Sequence, residues 1–348
     1  MWMSNNYSNE EFSYTDEDYN VKRVIKVIQQ NKGKKIVIEG SEPYIKRVLE
    51  NIDLSKYPVE VNPSPRYGAC DIDTPLYLDI RPDIVIHLGH NPFPNTFSSL
   101  RNSHYKIYFI PMIDKVDEER LRFLTDNLSF ESNKTYGLVY SIQYRNYAEK
   151  IMEWFRSRKI QNVIIPHLTG MLRGQVLGCT NAFLRNYNVD QFIILSSGIF
   201  HALGVSLYTG IPTKLIDIHN YKVLDMRDKT HKIRSLISWN IYRAKNYNKV
   251  AVVSVADSHQ SSIGGENAII RLLKKYGISH IRYNVYRVSE EVIHSLPKEY
   301  LPVVAGCPRI AIDDITRFKR PVLNLEQLQI LLGLKDFNEV YPPLRNGG

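Results

Sequence analysis

Cysteine is scarce in this sequence, with three in 348 residues. So small and odd a count excludes a disulfide framework and fits a chain kept in a reducing compartment. Long apolar runs are missing as well: none approaches the roughly 20 residues that a membrane-spanning helix requires. The opening MWMSNNYSNEEFSYTDEDYN is polar and acidic where a secretory signal would be apolar. These absences lead to the expectation of a soluble, cytoplasmic protein with a loose N-terminal segment and no membrane partner. No P-loop or G-x-G-x-x-G stretch occurs, which weakens any reading as a nucleotide-sugar or phosphate-binding protein. C-x-x-C pairs, the usual spacing of structural zinc, are absent too.

What is present is core material. Apolar residues make up 43% of the chain, with 12 Phe and 23 Tyr, which is the composition of a folded globular protein. Lys and Arg number 45 against 36 acids, for a net charge of +9. The basic residues are dispersed among acidic ones, so direct nucleic-acid binding is not expected; a basic face for a protein partner is compatible with the charge.

The strongest pattern is a threefold internal repeat. Continuous apolar runs KKIVIEG (34 to 40), TYGLVYS (135 to 141) and KVAVVSV (249 to 255) read as strands buried on both faces of a parallel sheet. Amphipathic stretches follow each: SEPYIKRVLENI, RNYAEKIMEWFRSR and GENAIIRLLKKYG. A second run then stops at a small residue, DIVIHLG at Gly89, QFIILSSG at Gly198 and YLPVVAG at Gly306. A third, KIYFIP, TKLIDI or RPVLNL, closes each unit. The pattern predicts an α/β protein of three similar domains, 1–112, 113–222 and 223–348, each a small parallel sheet flanked by helices, with right-handed crossovers. Ligands of such sheets collect at the carboxyl ends of the strands.

Each unit owns one cysteine: Cys70, Cys179 and Cys307. Each has glycine one or two positions before it, in YGACD, VLGCT and AGCPR, and glycine lets backbone approach a ligand closely. Three thiolates with glycine-rich backbone suit an iron-sulfur cluster. A pseudo-threefold arrangement of the domains would bring them to one central point. The other readings of these residues are small buried hydrophobes, a zinc site and a catalytic thiol.

YGACD (67 to 71), HLGH (87 to 90), VLGCT (176 to 180), SGIFHALG (197 to 204) and GCPRIAIDD (306 to 314) together resemble archaeal diphthamide synthase, in order and spacing, from about residue 20 to about residue 335. The resemblance implies a non-standard radical S-adenosylmethionine enzyme acting in the first step of diphthamide synthesis. It would transfer a 3-amino-3-carboxypropyl group to a histidine of translation elongation factor 2, with Cys70, Cys179 and Cys307 holding a 4Fe-4S cluster. It implies further a homodimer, an electron donor, and a cytoplasmic setting. A non-catalytic iron-sulfur redox or sensing protein is the reading from another class.

The candidate cofactor-binding residues are Gln143, after the first strand of the second unit, Gly198, His201 and Gly204 in SGIFHALG, and Arg309 beyond Cys307. His87 and His90 are candidates for contact with cofactor or substrate. Asp71, Asp313 and Asp314 read as caps or ion-pair partners. Two stretches depart from the family pattern. Ser196-Ser197-Gly198-Ile199-Phe200-His201 stands where a Gly-Gly-Gly-x-Phe-His run is common, and ADSHQSSIGG (256 to 265) replaces a Lys-Gly-Gln-like turn.

Overall fold

Short β-branched runs that must bury both faces do so by pairing in parallel beneath helices. The computed structural model, which describes residues 17–64, 66–92, 103–179, 181–256, 260 and 265–345, shows this outcome three times. In the first sheet, β1 (Ile36–Glu39), β2 (Glu60–Asn62), β3 (Ile84–Leu88) and β4 (Lys106–Ile110) run parallel in the order β2-β1-β3-β4. The second holds β5 (Tyr136–Tyr140), β6 (Val163–Ile164), β7 (Gln191–Ser196), β8 (Thr213–Asp217) and β9 (Lys222–Asp225), ordered β6-β5-β7-β8-β9. The third is β10 (Lys249–Val255), β11 (Ser279–Val285) and β12 (Tyr300–Ala305), ordered β11-β10-β12. The same order recurs in each: the opening strand has the second on one side and the third on the other.

Both faces of each sheet are covered. Alternate residues Ile38 and Val37 of β1 enter different cores, Ile38 with Val24, Ile28 and Ile86, and Val37 with Tyr77, Val85 and Phe109. The helix Arg145–Ser157 offers Tyr147, Ala148, Ile151 and Phe155, a three-to-four-residue stripe, to Leu138, Ile193 and Leu195 of the second sheet. Burying a side chain such as Phe155 fully contributes roughly 1.5–3 kcal/mol. In the third sheet Val250 and Val252 face Ile237 and Ile269, while Ala251 and Val253 face Ile293 and Val322.

A helix of the second unit shares a core with the third sheet. Leu207 and Tyr208, on the helix Phe200–Thr209, pack with Ile237 and Ile241 of the long helix Arg227–Ala244 and with Val252, Val303 and Tyr341. The first sheet reaches the second through smaller contacts. Ile113 and Ile142 are buried together, Asp114 N–H donates to Gln143 O at 2.9 Å, and Asn91 Nδ2 donates to Gln175 Oε1 at 3.3 Å.

The structure corrects several details of the expected pattern. RPVLNL forms no strand; it pairs with its sheet through an isolated parallel bridge between Val303 and Leu323 and packs Val322 against it. β9 runs antiparallel to β8, so the second sheet is mixed. Among the described residues no helix is long and apolar enough to cross a membrane.

Candidate metal centre

The three cysteines leave the carboxyl ends of strands, where parallel sheets gather ligands. Cys70 lies between β2 and the helix Thr74–Ile80, Cys179 between β6 and β7, and Cys307 directly after β12. All three are free thiols, Cys70 exposed and the other two half-buried. They are within electrostatic reach of one another. Burial pushes the Cys70 thiol up to about 12, and negative charge on Cys179 and then Cys307 adds to the rise. The Cys179 thiol is pushed up to about 11, by burial first and then by Cys307, with Arg309 acting in the other direction. Cys307 is raised by burial, again against the nearby guanidinium of Arg309. The three thiols therefore influence one another's ionisation, and bringing them together as thiolates requires positive charge among them.

Each cysteine loop is held by a different device. Fully buried Asp71 accepts from Tyr67 N–H at 2.9 Å and from Arg66 at 3.4 Å, and its own N–H donates to Gly68 O at 3.0 Å. Arg66 also meets Glu39 at 3.2 Å and Asp73 at 3.3 Å, so the turn carrying Cys70 is tied to the end of β1. The Cys179 loop lies on the helix Phe200–Thr209: a Cβ on Gly204 would stand 2.5 Å from Gly178 O and 2.7 Å from both Arg309 and Asn181. Only glycine permits that approach. Cys307 N–H donates to Gln260 O at 2.8 Å, and Cys307 O accepts from Ile310 N–H at 3.1 Å.

Arg309 is 3% exposed and joins two of these loops. Its Nη1 donates to Gly178 O at 2.6 Å and its Nη2 to Phe200 O at 3.0 Å. Nε and Nη2 hold the two Asp313 oxygens at 2.7 Å each, and the guanidinium lies 4.1 Å from the centroid of the Phe200 ring. Asp314 pairs with Arg317 at 3.1 Å.

Two histidine environments border the cleft. His201 Nδ1 is 3.0 Å from Ser196 Oγ, and burial followed by the charge of Arg309 lowers its pKa from 6.5 to about 4. His90 is held well below the ordinary imidazole value by burial, then by His87 and His201. His87 is fully buried, with Nδ1 2.7 Å from Glu39 Oε1 and Nε2 2.9 Å from His90 Nδ1. It is therefore enclosed by protein and does not meet a substrate directly.

Among the other candidates, Gly198 sits in left-handed backbone at φ +67° with nothing within 4 Å of where a Cβ would project, and its N–H donates to Asp217 at 3.1 Å. Gln143 is half-buried beside Asp114. For Gly204 and Arg309, expected at a cofactor, the structure shows close packing and intrachain hydrogen bonds. The replaced turn at 256 to 265 lies largely outside the described residues, although Gln260 is seen against Cys307. Sequence reasoning missed Glu39, Arg66 and Tyr77, whose phenol donates to Glu39. An acid closing the otherwise apolar strand IVIE was the one available sign. It missed Asn181 as well, buried two positions beyond Cys179 with neither amide atom hydrogen-bonded among the described residues.

Comparison with known proteins places this arrangement. A family described as "Putative diphthamide synthesis protein" matches residues 37–342. The 2-(3-amino-3-carboxypropyl)histidine synthase of Pyrococcus horikoshii is 26% identical, over 91% of this chain and 92% of that protein. Subunit 1 of the synthase of that name from Homo sapiens is 22% identical, over 93% of this chain and 74% of its own. The crystal structure of Dph2 from Pyrococcus horikoshii with a 4Fe-4S cluster superposes with a TM-score of 0.71 at 22% identity, covering 95% of each chain, a likeness of fold.

Two outcomes follow from this geometry. Lysine at position 309 keeps the charge but loses the fork, so Arg309→Lys costs roughly 2–4 kcal/mol in urea unfolding. His201 has a folded pKa of about 4 against 6.5 for the free group. Between those values the unfolded state binds more protons, so stability rises with pH and is lost as pH falls from 6.5 toward 4. Unfolding curves across that window should show the slope, and His201→Gln should lessen it, leaving the share of His90, which is lowered in the same direction.

Proposed function

The chain belongs to the diphthamide synthesis family, and on that premise we propose that it transfers the 3-amino-3-carboxypropyl group of S-adenosylmethionine to a histidine of translation elongation factor 2. The observation that carries this reading is that the loops of the three sheets each bring a cysteine within electrostatic influence of the others, with Arg309, two residues after Cys307, hydrogen-bonded to Gly178 beside Cys179. The name of the Pyrococcus horikoshii relative and the cluster in the solved Dph2 structure support it.

The residues fit a 4Fe-4S group. Among the described residues no three His, Cys, Asp or Glu side chains close on a single ion, yet the thiols influence one another's ionisation. Soft sulfur donors suit iron, and three thiolates, one from the loops of each sheet, can each take one iron of a cluster. Cys70, Cys179 and Cys307 would hold three irons and leave the fourth for the cofactor. When bound and reduced, the cluster supplies the electron that opens the S–Cγ bond of S-adenosylmethionine, giving methylthioadenosine and the aminocarboxypropyl fragment.

The chain's own residues bind and orient. Arg309, whose charge favours the thiolate forms of Cys179 and Cys307, balances negative charge brought together at the site. Gly198 leaves open space for the cofactor to approach backbone, and Gln143 and His201 are polar groups for its amino acid portion. Gly204 serves cofactor binding by letting the helix carry the Cys179 loop close. We assign the units 1–112, 113–222 and 223–348 to three domains set pseudo-threefold about this cleft. The protein works in the cytoplasm as a homodimer, with an external electron donor, and its net charge of +9 favours an acidic face on the partner.

The test is anaerobic reconstitution with iron and sulfide, then reduction with S-adenosylmethionine and elongation factor 2. Methylthioadenosine and an aminocarboxypropyl mass gain on the factor are expected, both lost in Cys179→Ala. A cluster that forms without cleaving the cofactor would replace this reading with a redox or sensing role. Failure to bind iron would end both.

A further inference from the structure

A buried polar chain runs from the core of the first sheet to the cleft, and the binding roles above leave it unused. Register sets its first link: β1 and β3 pair in parallel with Glu39 beside His87. Glu39 and His87 are both fully buried, and His90, three residues on, is half-buried at the mouth. The links are 2.7 Å from Glu39 Oε1 to His87 Nδ1 and 2.9 Å from His87 Nε2 to His90 Nδ1.

The far oxygen of Glu39 fixes how protons lie along the chain. Oε2 accepts from the Tyr77 phenol and faces the Arg66 guanidinium at 3.2 Å. A carboxylate held this way can only accept at Oε1, so His87 carries its proton on Nδ1. With the His87 ring neutral, Nε2 is then an acceptor, and its partner must donate, which places the proton of His90 on Nδ1. The lone pair of His90 is left on Nε2, where among the described residues there is no hydrogen-bond partner. Asn91, next to His90, donates to Gln175 Oε1 at 3.3 Å, four residues before Cys179, and His201, whose neighbour Phe200 lies against Arg309, is close enough to oppose protonation of His90. The inner end of the chain gathers Glu39, Asp71 and Asp73 around the single charge of Arg66, which holds the carboxylate root of the chain in place.

We propose that Glu39, His87 and His90 form a fixed-tautomer relay in which His90 Nε2 accepts the proton released when the target imidazole is alkylated. The inference rests on the transfer reading above. In that transfer the S–Cγ and C2–H bonds break and a C2–Cγ bond forms. The electron spent in opening S–Cγ is returned as the ring regains aromaticity, so no oxidant is needed and the balance is one proton. His90 Nε2 takes it, His90 Nδ1–H passes to His87, and His87 Nδ1–H moves toward Glu39. The carboxylate orients the imidazoles and stabilises the charge, as in other carboxylate–histidine pairs.

Glu39→Gln tests the relay sharply. Tyr77 and Arg66 are donors and hold the amide oxygen, so the amide NH₂ must face His87 and both tautomers invert, leaving His90 protonated on Nε2. Long-range ¹H–¹⁵N spectra of the metal-free protein read this directly: Nδ1–H on both histidines in the wild type, Nε2–H on both in the variant. In the loaded enzyme the ratio of alkylated histidine to methylthioadenosine should fall roughly 100-fold or more in Glu39→Gln. His90→Gln, at a half-exposed position that tolerates change, should do the same should the core variant fold poorly. An unchanged ratio in His90→Gln, or a wild-type His90 protonated on Nε2, overturns the proposal. If the wild type forms no methylthioadenosine, the transfer reading itself has failed, and the catalytic role of the relay falls with it whatever the tautomers show.

Discussion

The site depends above all on the guanidinium of Arg309. Cys179 and Cys307 belong to different sheets, and nothing covalent fixes their separation. Arg309 does so by hydrogen bonding Gly178, one residue before Cys179, from a position two residues after Cys307. Asp313 locks the fork from behind and Phe200 supports its face. A planar group with five donors suits this task, because it satisfies two loop carbonyls and a carboxylate at once, whereas a point charge would leave some of them buried and unpaired. The same charge lowers the cost of holding two thiolates side by side.

The first sheet supplies the third thiol by a parallel device. Arg66 gathers Glu39, Asp71 and Asp73, and Asp71 closes the turn that presents Cys70. One arginine fixes each side of the cleft, yet their surroundings differ. Arg309 is used up in making the second and third units one body with a shared core. Arg66 stands at the root of a chain of polar groups that leads outward to His90, and the first unit joins the second through fewer apolar contacts.

Much of this was legible in the residues. Strands buried on both faces announce themselves as unbroken apolar runs, so β1, β5 and β10 and their glycine-ended partners β3, β7 and β12 were found. The second strand of each sheet carries no such signal. β11 has no fully buried residue, β2 has one, and β6 is two residues long. RPVLNL misled because proline and a following helix cap at Asn324 leave only Leu323 in bridging position. At the site, cysteine spacing and glycine contexts pointed to the three loops. The destinations of Arg309 and Gly204 were hidden, since the same residue types serve packing between units or ligand contact, and only the tertiary approach of Gly178 separates the two. Glu39 was hidden for a related reason: its partners Arg66, Tyr77 and His87 lie 27 to 48 positions away in sequence.

The central claim is that three thiols from three sheets take up one iron-sulfur cluster. An anomalous difference map at the iron edge, from crystals of the anaerobically reconstituted protein, addresses it most directly. The account predicts a single strong iron feature bonded to the Sγ atoms of Cys70, Cys179 and Cys307, with Arg309 still bridging Gly178 and Asp313. Iron bound elsewhere, or held by only one of the three sulfurs, would contradict it.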